Sequence, residues 1–274
     1  MGERQARVDY LLWAGAQLAQ GDRTCPGCGD NHSRLVRRKY WVTSLRECPN
    51  CHLRFRLPKE TSERAEKLYK RETYRQGFTT ALPSQEELSR LLETHFAGTE
   101  KDYAPYVEVL RSLLAPGATI LDFGSSWGYG SWQIERAGFV VFSYEVGQDR
   151  ARYAREHLNC KMIEDLGTIA GTIDCFFSSH VIEHLPDPNL LFCEAARLLK
   201  PGGYLVCLCP NGNPDRERVD PNYHKVWGKV HPLYITPEFM RWACARHSLE
   251  LSELSFPGRT NLSSELLTIA RKTA

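Results

Sequence analysis

From Ala118 onward the chain alternates short apolar runs with mixed polar and apolar stretches, and this alternation is its strongest pattern. The runs TILDF (119–123), FVVFSY (139–144), CKMI (160–163), IDCFFSS (173–179) and YLVCLC (204–209) are short and mostly apolar. Strands buried on both faces of a parallel sheet have this character. Helices are predicted between them. Asp187-Pro188 opens the clearest one, and Lys200-Pro201-Gly202-Gly203 is expected to stop it, with proline and glycine where helix ends favour them. Thr236-Pro237-Glu238 starts another, and LELSELSF (249–256) and ELLTIAR (265–271) read as the last strands. The fold class is therefore α/β, with ligands expected outside the carboxyl ends of the strands.

Upstream the pattern changes. Helices are predicted after an N-cap at Thr61 or Ser62, after the capping box Ser84…Glu87, and around 103–114 before Pro116-Gly117. The Ser84 helix places Leu88, Leu91, Leu92 and His95 on one face. A break at Ala81-Leu82-Pro83 sets the expected division: residues 1–80 form a front module of helix, cysteine-rich segment and linker helix, and residues 81–274 form a larger back domain.

Composition narrows the class. With 42% hydrophobic and 25% charged residues, the chain is an ordinary globular sequence and not a disordered one. No apolar run approaches the ~18–20 residues that span a bilayer, and the first twenty residues lack the apolar core of a secretory signal. Ten cysteines without an export signal point to metal ligands and buried thiols, hence to a cytoplasmic protein with no membrane partner. Residues 1–80 carry 16 basic against 9 acidic side chains, and the remainder 19 against 24. A basic front suits phosphorylated partners such as RNA or nucleotide-sugars, and equally a solvated surface. DNA is not an expected partner.

Cys25-Pro-Gly-Cys28 and Cys48-Pro-Asn-Cys51 are two short knuckles separated by nineteen residues. This is the spacing of a structural zinc site, with the intervening segment returning as strands. Four thiolates leave no open coordination position, so the zinc is expected to be structural. His32 and His52 lie beside the knuckles as less favoured substitutes.

The first back-domain strand runs into Asp122-Phe-Gly124-Ser-Ser126-Trp-Gly128-Tyr-Gly130. Glycines here let the backbone turn into a helix close to a ligand. The stretch is not G-x-G-x-x-G, and a carboxylate at its mouth would repel a pyrophosphate. It would attract a cationic cofactor, and S-adenosylmethionine, with its sulfonium and ammonium, fits. Glu145 ends the next strand, where a carboxylate can accept both ribose hydroxyls. An NAD-linked dehydrogenase is disfavoured on the same grounds.

At this point ILDFGSSWGYG, FSYEVG, FFSSHVIEHLPDP and ARLLKPGGYLVCLCPN resemble the successive motifs of class I S-adenosylmethionine-dependent methyltransferases, over roughly residues 104–274. The front resembles the zinc-ribbon leader that precedes this domain in many bacterial methyltransferases of polysaccharide and natural-product pathways. The resemblance implies a seven-stranded Rossmann-like sheet. It implies that Asp122, Gly124, Ser126 and Gly128 line the methionine end, that Glu145 holds the ribose, and that Asp165 or Leu166 meets the adenine. Ser126 stands where the family usually has glycine, which costs a Cβ clash if that backbone needs positive φ.

His180, Glu183 and His184 lie at i, i+3 and i+4, on one face of a helical turn after the fourth strand, with His231 as a further group from a later loop. In one reading His184 orients its loop through hydrogen bonds and no metal binds. In the other, the four groups hold a divalent cation that polarises a substrate hydroxyl. That set resembles the Glu-x-x-Glu-His plus distal His site of metal-dependent O-methyltransferases, including ubiquinone-pathway enzymes and small-RNA 2′-O-methyltransferases. His180 here replaces the first Glu, which would shift preference toward softer metals. His180, then His231, are the expected base or nucleophile-orienting groups. The polar segment 211–230, with Tyr223, His224 and Trp227, reads as a substrate-covering loop or a passive excursion.

The function expected is methylation of a small molecule or glycan precursor, at oxygen, with carbon and nitrogen as alternatives. An RNA methyltransferase gripping phosphates through the ribbon, and a non-catalytic partner with a degenerate cleft at Ser126, are the competing readings.

Overall fold

The computed structural model describes residues 3–39, 41–70, 80–253 and 263–273. In chain order it contains α1 (Glu3–Gln20), β1 (Arg34–Lys39), β2 (Thr43–Glu47), β3 (Arg54–Leu57), α2 (Ser62–Lys70), α3 (Gln85–Glu93) and α4 (Ala104–Leu113). There follow β4 (Thr119–Phe123), α5 (Tyr129–Arg136), β5 (Val140–Tyr144), α6 (Gln148–Leu158), β6 (Lys161–Met162), β7 (Ile173–Ser179), α7 (Asn189–Leu198) and β8 (Leu199–Pro210). The chain closes with β9 (Leu233–Tyr234), α8 (Pro237–Arg246), β10 (Leu249–Glu253) and β11 (Glu265–Lys272). Two sheets result: four strands in the order β1-β2-β3-β9, and seven in the order β10-β11-β8-β7-β4-β5-β6. The seven-stranded α/β sheet is the one the apolar runs announce. Its order reverses at β4, because the chain steps outward through β5 and β6 and returns to β7 on the other side. Such a reversal opens a crevice at the carboxyl ends of the strands.

The described chain forms two compact units that interleave in sequence. One comprises Met1–Ala65, His180–Cys193 and Leu208–Thr268, the other Glu66–Ser179, Glu194–Cys207 and Ile269–Ala274. The cysteine-rich front thus shares a unit with segments from the second half of the chain. Strand β3 pairs antiparallel with β9, Arg54 against Tyr234 and Phe55 against Leu233. The Asn189 amide donates to the Gly27 carbonyl at 2.9 Å, and the Thr236 hydroxyl donates to the His52 carbonyl at 2.8 Å. In the other unit β4 pairs in parallel with β5 and β7. Trp127, fully buried, packs with Leu88, Leu91, Phe96, Ala154, Leu158 and Cys160.

Several local expectations are met by specific bonds. The Ser84 hydroxyl accepts from Glu87 N at 3.2 Å, the Thr61 hydroxyl from Arg64 N at 3.2 Å, and the Thr236 hydroxyl from Phe239 N at 3.0 Å. The helix before Lys200-Pro-Gly-Gly stops as expected, α7 ending at Leu198, and the same segment opens β8, with Gly202 left-handed at φ 79°. A Cβ at Gly203 would come within 3.0 Å of the Asp174 carbonyl, so close strand packing claims this glycine. The part of LELSELSF beyond Glu253, and the end of the helix after Lys70, lie outside the described residues. Among the described residues no helix is long and apolar enough to cross a membrane.

Gly128 caps α5 at φ 87°, and a Cβ there would meet Cys160 Sγ at 2.7 Å and Ala154 Cβ at 2.8 Å. Gly138 also has positive φ, 98°, but nothing lies within 4 Å. Gly128→Ala therefore combines backbone strain with overpacking and is expected to destabilise by roughly 2–4 kcal/mol, against about 1 kcal/mol for Gly138→Ala. Urea midpoints of the two variants check the ranking.

Candidate functional sites

The two cysteine knuckles are built alike. In each, the residue after the second cysteine turns left-handed, Gly29 at φ 78° and His52 at φ 60°. Its amide bonds back to the first cysteine's carbonyl, Gly29 N to Cys25 O at 2.9 Å and His52 N to Cys48 O at 3.0 Å. The four sulfurs of Cys25, Cys28, Cys48 and Cys51 lie within 4.8 Å of one another. Cys25–Cys51 and Cys28–Cys48 are separated by 3.5 and 3.4 Å. A tetrahedron of Zn–S bonds of ~2.3 Å has edges near 3.8 Å, so the four thiols fit a zinc ion. His52 serves as a turn residue, and His32 sits against Asp30 at 3.2 Å.

At the end of β4, Gly124, Ser126 and Gly128 all have positive φ, at 86°, 52° and 87°. Ser126 thus meets the conformational demand expected of that position, in the small left-handed region open to a non-glycine residue. Its amide donates to Glu145 Oε2 at 3.0 Å. Glu145 Oε1 accepts from Gly147 N at 2.6 Å and from Arg150 at 2.7 Å. Asp122 is buried and accepts from the Ser131 hydroxyl at 2.6 Å, which is itself held by Ser143 at 2.8 Å. Burial pushes the Asp122 carboxyl up to about 6; Ser131 opposes the shift and Glu145 adds to it. The Ser125 and Ser126 hydroxyls are buried without a hydrogen-bond partner among the described residues. Orphaned polar atoms beside a left-handed turn fit a polar ligand at this place. Asp165 caps the turn Leu166–Ile169 by accepting from Gly167 N at 2.7 Å. The sequence reading missed Tyr103 and Tyr129, whose rings meet edge-on at 5.5 Å. Tyr103 is why Gly130 must be glycine, since a Cβ there would lie 2.4 Å from its ring.

The histidine cluster lies wholly within the unit that holds the cysteines. His180, left-handed at φ 55°, leaves β7 and is flanked by Glu183 at 3.3 Å and Glu265 at 3.0 Å. Burial works against its charge, but the two carboxylates outweigh it and push the imidazole up to about 10. The two carboxylates thus favour the charged ring, which is a proton donor. Glu265 was invisible as a partner, 85 residues away in the chain.

Glu183, His184 and His231 are brought together, with ligand atoms within 4.8 Å of one another; His180 is not in that group. His184 Nδ1 bonds the Val230 carbonyl at 3.1 Å and His231 Nδ1 bonds the Val226 carbonyl at 2.9 Å. In the neutral rings each Nδ1 therefore carries the proton, and Nε2 carries the lone pair. Burial pushes His184 down to about 4. Burial also opposes ionisation of Glu183, but His180 beside it, with His184 and His231, holds its carboxyl down to about 2. Neither Glu183 oxygen receives a well-directed hydrogen bond among the described residues. An ionised, buried, under-bonded carboxylate beside two such imidazoles is a donor set fit for a divalent cation.

Within the segment 211–230, Tyr223 and Trp227 are 1% exposed and pack with Leu45 and Tyr234 in the interior of their unit, which the polar surroundings of these two rings did not announce. His224 is held by Glu217 at 2.8 Å and by the Trp227 indole at 3.0 Å.

Comparisons with known proteins agree with this architecture. Residues 121–207 match the family described as methyltransferase domain. A ubiquinone biosynthesis O-methyltransferase from Xanthomonas axonopodis pv. citri is 31% identical over 119 residues, 39% of this chain and 50% of that protein. The chain thus spans about half the length of the curated relatives it matches. Among solved structures, an O-methyltransferase family protein from Burkholderia thailandensis superposes with TM-score 0.50 at 18% identity, covering 70% of this chain and 63% of that one. The cyclase SpnF superposes with TM-score 0.51 at 12% identity, covering 70% and 97%. These two likenesses bear on the fold alone, and a cyclase among them shows why. Residues 121–207 thus resemble a methyltransferase domain, in a chain that also carries a seven-stranded α/β sheet and a four-cysteine cluster.

Proposed function

We propose that this chain transfers the methyl group of S-adenosylmethionine to a hydroxyl oxygen of a small-molecule or glycan acceptor, aided by a divalent cation. The observation that carries the reading is the pair of acidic side chains at neighbouring strand ends, Asp122 and Glu145, around a left-handed turn. Beside it stand the methyltransferase-domain match and curated relatives named as O-methyltransferases of ubiquinone biosynthesis.

The donor supplies an electrophilic methyl on a sulfonium. Asp122 would face its positive charge, which favours the ionised carboxylate that burial alone disfavours. Gly124, Ser126 and Gly128 would lie along the methionine end, and the orphaned Ser125 and Ser126 hydroxyls would find partners there. Glu145 would take the ribose. Three donors already occupy its oxygens, out of roughly four acceptor positions, so Arg150 must yield for both ribose hydroxyls to be held. Asp165 and Leu166 would border the adenine.

Within the unit that holds the cysteines, Glu183, His184 and His231 would hold the cation, whose chemistry is to lower the pKa of a bound hydroxyl. The carbonyls of Val230 and Val226 keep both imidazoles in the tautomer that offers Nε2. His180, charged between two carboxylates, would hold Glu183 in place. The Cys25–Cys28–Cys48–Cys51 zinc, closed to further ligands, would take no part in the chemistry.

Two outcomes are expected. Calorimetric titration should give S-adenosylmethionine binding that weakens by about 1–3 kcal/mol in Asp122→Asn and in Glu145→Ala, the worth of a lost charged hydrogen bond. The donor is a cation and the free protein holds the Asp122 proton up to about pH 6. Affinity should therefore fall by up to tenfold per pH unit below 6 and be flat in Asp122→Asn. No binding, or binding indifferent to both variants, would sink the assignment. Separately, Mn2+ titrated into zinc-loaded protein should bind one further site per chain and lose at least tenfold affinity in His231→Ala. Wild-type protein that takes up no Mn2+ would remove the cation from the reading.

A further inference from the structure

His231 sits on a loop whose backbone is held from outside by the cysteine-bearing sheet. Five residues beyond Cys51 stands Arg56, 0% exposed, the centre of a hydrogen-bonding set. Its backbone amide donates to Pro232 O at 2.7 Å. Its guanidinium donates to Gly228 O at 3.0 Å and to Lys229 O at 3.2 Å. These three carbonyls bracket His231 on both sides. The remaining guanidinium donors go to Pro58 O at 2.9 Å and to Glu60 at 3.3 Å. Trp13 of α1 lies under the same cation, 5.2 Å from its ring centre. Lys39, at the end of β1, reaches Trp227 O at 2.5 Å and stands over the Trp227 ring at 4.0 Å. Arg54 donates to the Tyr223 hydroxyl at 2.6 Å, which donates on to Gly212 O at 2.7 Å.

Inside the loop, Gly228 N bonds His231 O at 3.0 Å, and the carbonyls of Val226 and Val230 orient His231 and His184. The guanidinium therefore grips the same short segment that sets the two imidazoles. A guanidinium presents five donors in a fixed plane, and an ammonium cannot span the same acceptors.

We propose that Arg56 is a positioning residue for His231, and that through it the four-cysteine module is the scaffold of the Glu183–His184–His231 cation site. The inference rests on the cation reading above and gives the ribbon a task other than gripping a substrate. Removing the fork would withdraw its donors from carbonyls 228 and 229, loosen the segment 226–232, and move His231 away from its partners.

The test uses full-length, zinc-loaded protein and Mn2+ alone as the probe, because a hard ion does not displace zinc from thiolates. Arg56→Lys keeps the charge opposite Glu60 and gives up the fork. It is expected to lose at least tenfold in Mn2+ affinity, measured well below its melting temperature, with zinc content and S-adenosylmethionine affinity unchanged. Combined with His231→Ala it should cost clearly less than the two single losses together, since both act through the same segment. A role confined to stability would lower the melting temperature and leave the Mn2+ dissociation constant where it was, and that result overturns the proposal. So does full additivity in the double variant. If Arg56→Lys does not fold, Lys39→Met is read in the same way, with a smaller expected loss of a few-fold; unchanged affinity there overturns the scaffold role. Wild-type protein that binds no Mn2+ defeats the cation reading itself, an outcome distinct from either.

Discussion

A guanidinium can be taken out of water only if its donors find acceptors and its charge finds a counter-ion. At Arg56 both conditions are met by groups far apart in the chain: Glu60 nearby, and the carbonyls of Gly228 and Lys229 some 170 residues on. That requirement ties a small cysteine-rich sheet to a loop from the second half of the molecule. Leaving any one acceptor out would strand a buried donor, at a cost of about 1–3 kcal/mol. Arg54, between Glu47 and the Tyr223 hydroxyl, repeats the device two residues earlier on the same strand. Zinc at the four thiols would fix the other end of that strand, through the knuckle at Cys48 and Cys51.

The same logic of buried polar groups runs through the turn after β4. Asp122 is tolerated because the Ser143–Ser131 relay delivers one hydroxyl to it, and even so its carboxyl is held protonated further than usual. A single hydrogen bond does not replace hydration. A cationic ligand would complete what the protein leaves short, and two orphaned serine hydroxyls lie in the same turn. Glu183 presents the complementary case. Its charge is secured by His180, yet its oxygens lack directed donors, so electrostatic balance is reached without hydrogen-bond saturation. Both places carry local costs that a fold built for stability alone would avoid.

Much of this was legible from the chain. The runs at 119–123 and 173–179 became strands with those bounds because burial on both faces selects a short, mostly apolar run. The cysteine spacing announced its cluster, because a two-residue gap admits few turns. The acidic residues at the ends of β4 and β5 could be found because a strand's end is marked by where its apolar run stops. The reading was incomplete where one local pattern serves two environments. Lys200-Pro-Gly-Gly follows the end of α7 and also opens β8. Tyr223 and Trp227 sit in a polar segment that reads as exposed, and only the packing of Leu45 and Tyr234 against them decides otherwise.

By itself, then, the sequence determined the main elements of the larger sheet, the α/β class and the two cysteine knuckles, since these depend on neighbours within a few residues. Tertiary structure alone decided which histidines could act together. Glu265 takes His180 out of the ligand group, while Arg56 and Pro232 bring His231 into it. Each of these contacts joins positions separated by 85 residues or more, where no periodicity or spacing carries information. Their geometry exists only once two sheets have formed and the loop between β8 and β9 has been drawn onto the smaller one.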